Sequence, residues 1–267
     1  MFAKPSLIAA GIALGLATLV PGKADAHRRW LLPSATVLSG EKETVSVDAA
    51  ASNGLFIFEH AAMSLDDLTV LGPDGQPTQP TIIGRGKYRS VFDVDLAQPG
   101  TYRIALASHG AMGFYELNGE RQRVRGTDVT DAQSKVPQGA SNVTINATSQ
   151  RVETFVTLGA PNEVALAPTG RGLEMLPVTH PNDLVAGEPA QVRFLLGGQP
   201  AAGLELEFVE GGTRYRDDAG IQTLTTDADG AVTLNVDNPG MYYLEASATA
   251  DDGARASYTA VLEFMPL

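Results

Sequence analysis

The sequence contains no cysteine, which excludes disulfides, thiolate-bound metals and cysteine nucleophiles. Histidine nitrogens, carboxylates and methionine sulfur remain as the available ligands. Tryptophan occurs once and aromatics make up 6% of residues, a poor supply for the flat aromatic faces on which oxidative polysaccharide-cleaving enzymes lay their substrates. No G-x-S-x-G elbow, phosphate-cradling P-loop or H-E-x-x-H helix is present. Gly84-Arg85-Gly86 lies in a basic turn, GRGKYR, with no helical pattern behind it, so it is not a nucleotide fingerprint. Excess positive charge is missing too. The formal charge is −12, a field that repels nucleic acid and anionic lipid and mildly concentrates cations. Helical periodicity is nearly absent beyond the first residues, with one or two turns expected over Asp128 to Val136.

Long apolar runs are also scarce. The single one, Leu7 to Val20, follows a basic start at Lys4 and is followed by Pro21-Gly22 and the small residues Ala24-Asp25-Ala26. These are the parts of a secretory signal peptide, and the run is shorter than the roughly 20 residues that cross a bilayer. Residues 1–26 are therefore expected to be removed, without stable membrane insertion, and the Gram-negative periplasm is the simplest destination. Cleavage removes Lys4, Lys23 and Asp25, which takes the charge to −13, and leaves His27 as the first residue. A terminal histidine joins an α-amine and an imidazole on one residue. The amine nitrogen and Nδ1 close a six-membered chelate on a divalent metal, and both groups shed protons at modest cost near neutral pH.

The rest of the chain has period two. Thr44-Val45-Ser46-Val47, Phe92 to Leu96, Tyr102 to Leu106 and Val232 to Val236 alternate apolar with polar or small residues. Turn signals such as Gly72-Pro73-Asp74-Gly75, Gln98-Pro99-Gly100 and Asn238-Pro239-Gly240 separate them. Short strands punctuated in this way indicate antiparallel sandwiches. The pattern also repeats. FDVDLAQPGTYRIALA, from Phe92, and VTLNVDNPGMYYLEAS, from Val232, share Pro-Gly-x-Tyr in register 140 residues apart, and Gly40-Glu41 and Gly187-Glu188 each open an upstream strand. The reading is two tandem immunoglobulin-like or prealbumin-like antiparallel β-sandwich domains, over residues 27–160 and 173–267, joined by a linker at 161–172. The two Pro-Gly-x-Tyr segments are expected as hairpins. Thr226-Asp227-Ala228-Asp229-Gly230 is expected as a structural turn with Gly230 at positive φ, because the ligand spacing of a calcium loop is missing.

Four segments together carry a family resemblance: the start AHRRWLLP, the strand opener GEKETVSVDAA, the segment LPVTHPNDLVAGEPAQVRFLLGGQPAAGLELE and the terminal ASYTAVLEFMP. They resemble the bacterial family called domain of unknown function 4198, whose members are often described as periplasmic components of cobalt or nickel transport. The resemblance implies two β-sandwiches, export, and a part in transition-metal acquisition beside an outer-membrane receptor or inner-membrane transporter. His27 and Trp30 match the family's start and His180-Pro181 its inter-domain segment.

The chain has four histidines, at 27, 60, 109 and 180. His60 ends the apolar run LFIFEH, expected as a strand whose end presents it. His109 falls in SHGAMG, expected as a flexible loop after a strand. His180, held extended by Pro181, is either a ligand or a stitch between the domains. Three imidazoles with an amine suit Cu, Ni, Co or Zn, and sequence does not choose among them. Asp48, Glu59 and Asp183 are candidate acceptors for ring N–H groups, and Trp30 is expected to pin the first strand. Arg121, Arg123 and Arg125 alternate on one strand face, either solvated or set for an anionic ligand. The favoured function is a periplasmic protein that binds or delivers a divalent metal. The alternatives are a non-metal binding or assembly module partnering a membrane receptor and, third, a copper-brace oxidative enzyme.

Overall fold

In the computed structural model, which describes residues 27–250 and 252–267, the regular structure is mostly β-strand. The expected export segment, residues 1–26, lies outside the described residues. The first module comprises β1 (Arg28–Pro33), β2 (Val37–Leu38), β3 (Glu43–Ser52), β4 (Ala61–Ala62), β5 (Leu68–Leu71), β6 (Thr81–Arg85), β7 (Ser90–Leu96), β8 (Gly100–Leu117), β9 (Glu120–Gly126), a short helix α1 (Val129–Ser134) and β10 (Ser141–Leu158). The second comprises β11 (Leu173–Pro177), β12 (Ala190–Leu196), β13 (Gln199–Pro200), β14 (Glu205–Glu210), β15 (Gln222–Thr225), β16 (Ala231–Leu234), β17 (Gly240–Thr249) and β18 (Arg255–Phe264).

The modules share one plan. In the first, β1-β3-β7-β6 form one sheet and β5-β8-β10 lie in the other; in the second, β11-β12-β16 face β15-β14-β17-β18. This is the two-sheet order of immunoglobulin-like sandwiches. The sequence repeat is the corner of that plan, and the expectation of hairpins is corrected here. β7 and β8 lie in opposite sheets, as do β16 and β17, so each Pro-Gly turn carries the chain across the core. The tyrosine after it locks the corner. Tyr102 Oη donates to the Gln98 carbonyl at 3.0 Å and accepts from the Gln98 N–H at 3.0 Å, while Tyr242 Oη donates to the Asn238 carbonyl at 2.8 Å.

The two sandwiches are fused. β10 pairs in parallel with β18, Thr148 opposite Arg255 through Thr154 opposite Val261, so that one nine-stranded sheet runs through both modules. The offset between partners is odd, so even positions of β10 share a face with odd positions of β18. Val152, Val156 and Leu158 therefore point into the first core with Leu31, Val45, Phe92 and Ile104. Phe155 points the other way, into the second core with Tyr258, Leu262, Phe194 and Phe208. The smaller sheets thus cover opposite faces of the shared sheet. A third cluster seals the joint: Trp30, Ala50 and Leu55 of the first module pack on Val209, Tyr243 and Val261 of the second, and Trp30, the expected pin of the first strand, is fully buried.

Residues 161–172, expected as a linker, are strapped onto the shared sheet. Leu166 is buried in the second core, Arg103 Nη1 donates to the Ala167 carbonyl at 3.0 Å, and the Glu174 carboxylate takes the Thr169 and Gly170 amides at 2.9 and 2.7 Å. The 226–230 turn is structural. Asp227 Oδ1 accepts from the amides of Asp229 and Ala231, and Gly230 sits at φ 74° where a Cβ would strike the Phe194 carbonyl at 2.5 Å. The short helix falls where the sequence places it, with Asp128 as N-cap accepting from the Asp131 N–H.

Candidate functional site

The odd positions of β1 point at the shared sheet, and His27 continues that alternation one step before the strand begins. His27 and Arg29 form one wall of a cleft of about 370 Å³ whose floor is Thr148, Gln150 and Val152 of β10, Ser257 and Thr259 of β18, and Glu245, Ser247 and Thr249 of β17. Arg29 Nη1 donates to the Gln150 Oε1 across the gap, and Arg28 is paired with Glu207 at 3.4 Å. Burial pushes the Glu245 carboxyl above the usual glutamate range; the nearby Glu207 charge adds to this, while a hydrogen bond from Tyr243 and the charges of Arg28 and Arg29 oppose it.

His60 stacks on His27, the residue of the pair that lines this cleft. Their ring centroids are 3.6 Å apart with planes 19° from parallel. The route by which His60 arrives corrects the sequence reading, because LFIFEH is an irregular loop and not a strand. Phe56 stands at φ 58°, and Leu55, Phe56 and Phe58 fold over Trp30, with Phe56 edge-on to the indole at 5.7 Å between centroids. Apolar packing around Trp30 therefore fixes both ends of the pair: β1 carries His27 and the loop carries His60.

The other two histidines lie elsewhere. His109 sits within β8 instead of a loop, opposite Ser149. The small residues that read as a loop are required by close approach: a Cβ on Gly113 would lie 2.1 Å from the Thr144 carbonyl and one on Gly110 2.9 Å from that of Gly126. An odd position of β8, His109 faces away from the His27 cleft. Partial burial, and after it the charges of Arg171 and Arg151, hold its imidazole below the ordinary range, with the Asp67 charge opposing them. His180 is the stitch. Its Nε2 lies 3.0 Å from Thr101 Oγ1 and 3.2 Å from the Asn162 carbonyl, and Nδ1 accepts from the Asn182 N–H at 3.2 Å. Both ring nitrogens are engaged, tying the first module, the 161–172 strap and the second module together.

One centre built from all four histidines is not formed, and among the described residues no three His, Asp or Glu side chains gather in a metal-holding group. The carboxylates expected to orient imidazoles have other partners: Asp48 pairs with Arg89 at 3.3 Å, and Glu59 accepts from Ser52 Oγ and the Gly54 amide at 3.2 and 3.1 Å. Asp183 shares only a backbone bond with His180. Sequence reasoning missed the polar floor of the cleft, since Thr148, Gln150, Ser247 and Ser257 come from strands that only the parallel β10–β18 pairing brings together.

Fold and site define an all-β protein of two immunoglobulin-like sandwiches sharing one sheet, with a stacked imidazole pair, one ring of which lines a polar cleft. The chain belongs to the family described as Domain of unknown function (DUF4198), which matches residues 24–250. No curated protein matches it. Among solved structures it is similar to the D0–D1 domain of intimin, at 12% identity and TM-score 0.21 over 88% of this chain and 97% of that one. It is also similar to a Ca2+-stabilized adhesin with which an Antarctic bacterium binds ice, at 13% identity and TM-score 0.25 over 91% and 75%. The mouse nectin-like molecule 4 ectodomain gives 12% identity and TM-score 0.20 over 90% and 64%.

Proposed function

We propose that this protein binds a divalent transition metal of the cobalt, nickel and copper class at His27 and His60 in the periplasm, and hands it to a membrane transporter or receptor. The observation that carries the reading is the ring-on-ring contact of the two imidazoles. Removal of residues 1–26 would add the His27 α-amine to this pair, completing three nitrogen donors of the borderline kind that Cu, Ni, Co and Zn prefer. The donors fit such a metal in chemistry and proximity. Imidazole lone pairs lie in the ring plane, so two nearly parallel stacked rings aim along separate lines; one ring turns about its side-chain bonds when the metal is held. The family resemblance to metal-uptake components points the same way.

The test is calorimetric titration of Ni(II) and Cu(II) into a chain beginning at His27, with mass spectrometry confirming that periplasmic protein begins there. His27→Ala and His60→Ala are each expected to weaken binding at least about tenfold, or about 1.4 kcal/mol. An added glycine before His27, which displaces the chelating amine, should do the same. His180→Ala should leave the affinity unchanged. Equal affinity in wild type, His27→Ala and His60→Ala would reject the site and favour the non-metal assembly role.

A further inference from the structure

The arginine triplet of β9 lies on the same side of the sheet as the histidine cleft. Register places Arg125 opposite Met112, Arg123 opposite Phe114 and Arg121 opposite Glu116. The β8–β10 register adds Thr144, Asn146 and Thr148 to that face, and the pairing of Thr148 with Arg255 carries it on to β18. The opposite face of this arm is closed, because Ala111, Tyr115 and Val124 pack there against Ala132 of α1. The arginine side is open. A second hollow of about 280 Å³, lined by Phe114, Arg121 and Asn146, adjoins the histidine cleft through the shared residues Met112, Thr148 and Arg255.

Two features separate this face from an ordinary solvated one. The guanidiniums are positioned, with Arg121 4.0 Å and Arg123 5.7 Å from the centroid of the Phe114 ring, which holds two like charges side by side. Its polar groups are also unspent: among the described residues the side chains of Asn146, Thr148, Arg255 and Ser257 make no hydrogen bond within the protein. On a chain of net charge −12, Arg29, Arg121, Arg123, Arg125 and Arg255 gather here against Glu116 and Glu245. A complementary ligand carries spaced carboxylates for planar guanidiniums and many hydroxyls for the Ser, Thr and Asn side chains between them.

We infer that this face, from β9 to the His27–His60 pair, binds an acidic oligosaccharide of the uronic acid type. The inference stands independently of the metal reading. Its test is fluorescence anisotropy of labelled hexagalacturonate with the chain beginning at His27. The wild type is expected to bind, with affinity that falls as salt is added, and the Arg121→Ala/Arg123→Ala double variant to bind about tenfold more weakly. Arg255→Ala, outside the arm, should weaken binding several-fold, which keeps the test decisive if the double variant fails to fold. Ni(II) titration of the double variant should match wild type. Cellohexaose binding as tightly as the uronate would overturn the acidic ligand, and polyglutamate binding as tightly would replace the sugar with an acidic polypeptide. Absence of uronate binding, or undiminished binding in both variants, would refute the inference.

Discussion

The first sandwich and the second are built on the same two-sheet plan, differing in the strand before the corner, where β6 pairs with β7 but β15 pairs with β14, yet the first is elaborated and the second is plain. Both keep the inter-sheet corner with its tyrosine. The first alone extends two strands of the shared sheet to 18 residues each, adds β9 and α1 to form an arm, and carries the paired histidines. The difference teaches that the corners hold each sandwich closed while chemistry is placed on what was added around them. Neither module stands apart, because the joint is made of continuous backbone hydrogen bonding from β10 to β18 and of the cluster around Trp30.

Breaking that joint should have the largest effect. Trp30 is fully buried between the modules, and Trp30→Ala is expected to cost about 3–5 kcal/mol, the range for large-to-small substitution in a packed core. Because Trp30 touches groups from both modules, calorimetry of the wild type should give one cooperative transition. Two well-separated transitions would show that the sandwiches are independent and that the shared sheet adds little. The same substitution unseats β1 and the 53–60 loop, so it should also abolish tight Ni(II) binding if the imidazole pair holds the metal.

A smaller effect compares the corners directly. Tyr102→Phe removes two hydrogen bonds and Tyr242→Phe removes one. At about 0.5–1.5 kcal/mol per bond, the first should cost about 1–3 kcal/mol and the second about half as much, by urea denaturation. Equal losses would mean that the second Tyr102 hydrogen bond adds nothing, and a greater loss at Tyr242 that packing around the ring, more than its hydrogen bonds, sets the strength of each corner.

Sequence carried much of this fold and less of the site. The Pro-Gly-x-Tyr repeat, the Asp227 turn and the alternating runs are local signals, and each has a local cause in the structure. Which sheet a strand joins is not local. Period two reads the same whether a tight turn returns the chain along its neighbour or carries it across the core, so the corners looked like hairpins. Gly110 and Gly113 were ambiguous for a related reason: glycine allows a loop and also allows backbones to touch, and here β9 and β10 press against β8. His60 arrives beside His27 because Phe56 and Phe58 seek Trp30, a contact between residues distant in the chain. The cleft floor depends on the parallel β10–β18 pairing, for which no short motif exists.

The smallest expected effect concerns two carboxylates, one under the 161–172 strap and one in the floor of the cleft. Burial works against the Glu174 charge, but the Thr169 hydroxyl and amide, the Arg151 guanidinium and the Gly170 amide together hold its carboxyl below the ordinary glutamate value of 4.5. Its contribution is therefore present above about pH 4.5 and is lost as pH falls through the lower folded value. Glu245 has the opposite sign. Burial leads in raising its carboxyl above 4.5, so the folded state holds its proton more tightly than the unfolded chain. Stability is then highest in acid, declines as pH rises from about 4.5 through the folded value, and stays level above it. Glu174→Gln should accordingly destabilise the protein at pH 7 by an amount that shrinks on acidification. Glu245→Gln should stabilise it at pH 7, with a gain that disappears below pH 4.5. Urea midpoints for both variants and wild type between pH 3 and 8 read the two differences. If Glu245→Gln instead destabilises the protein at pH 7, as Glu174→Gln is expected to, the folded state favours the charged form of Glu245, and the cleft floor is an ionic network like the strap instead of a desolvated surface.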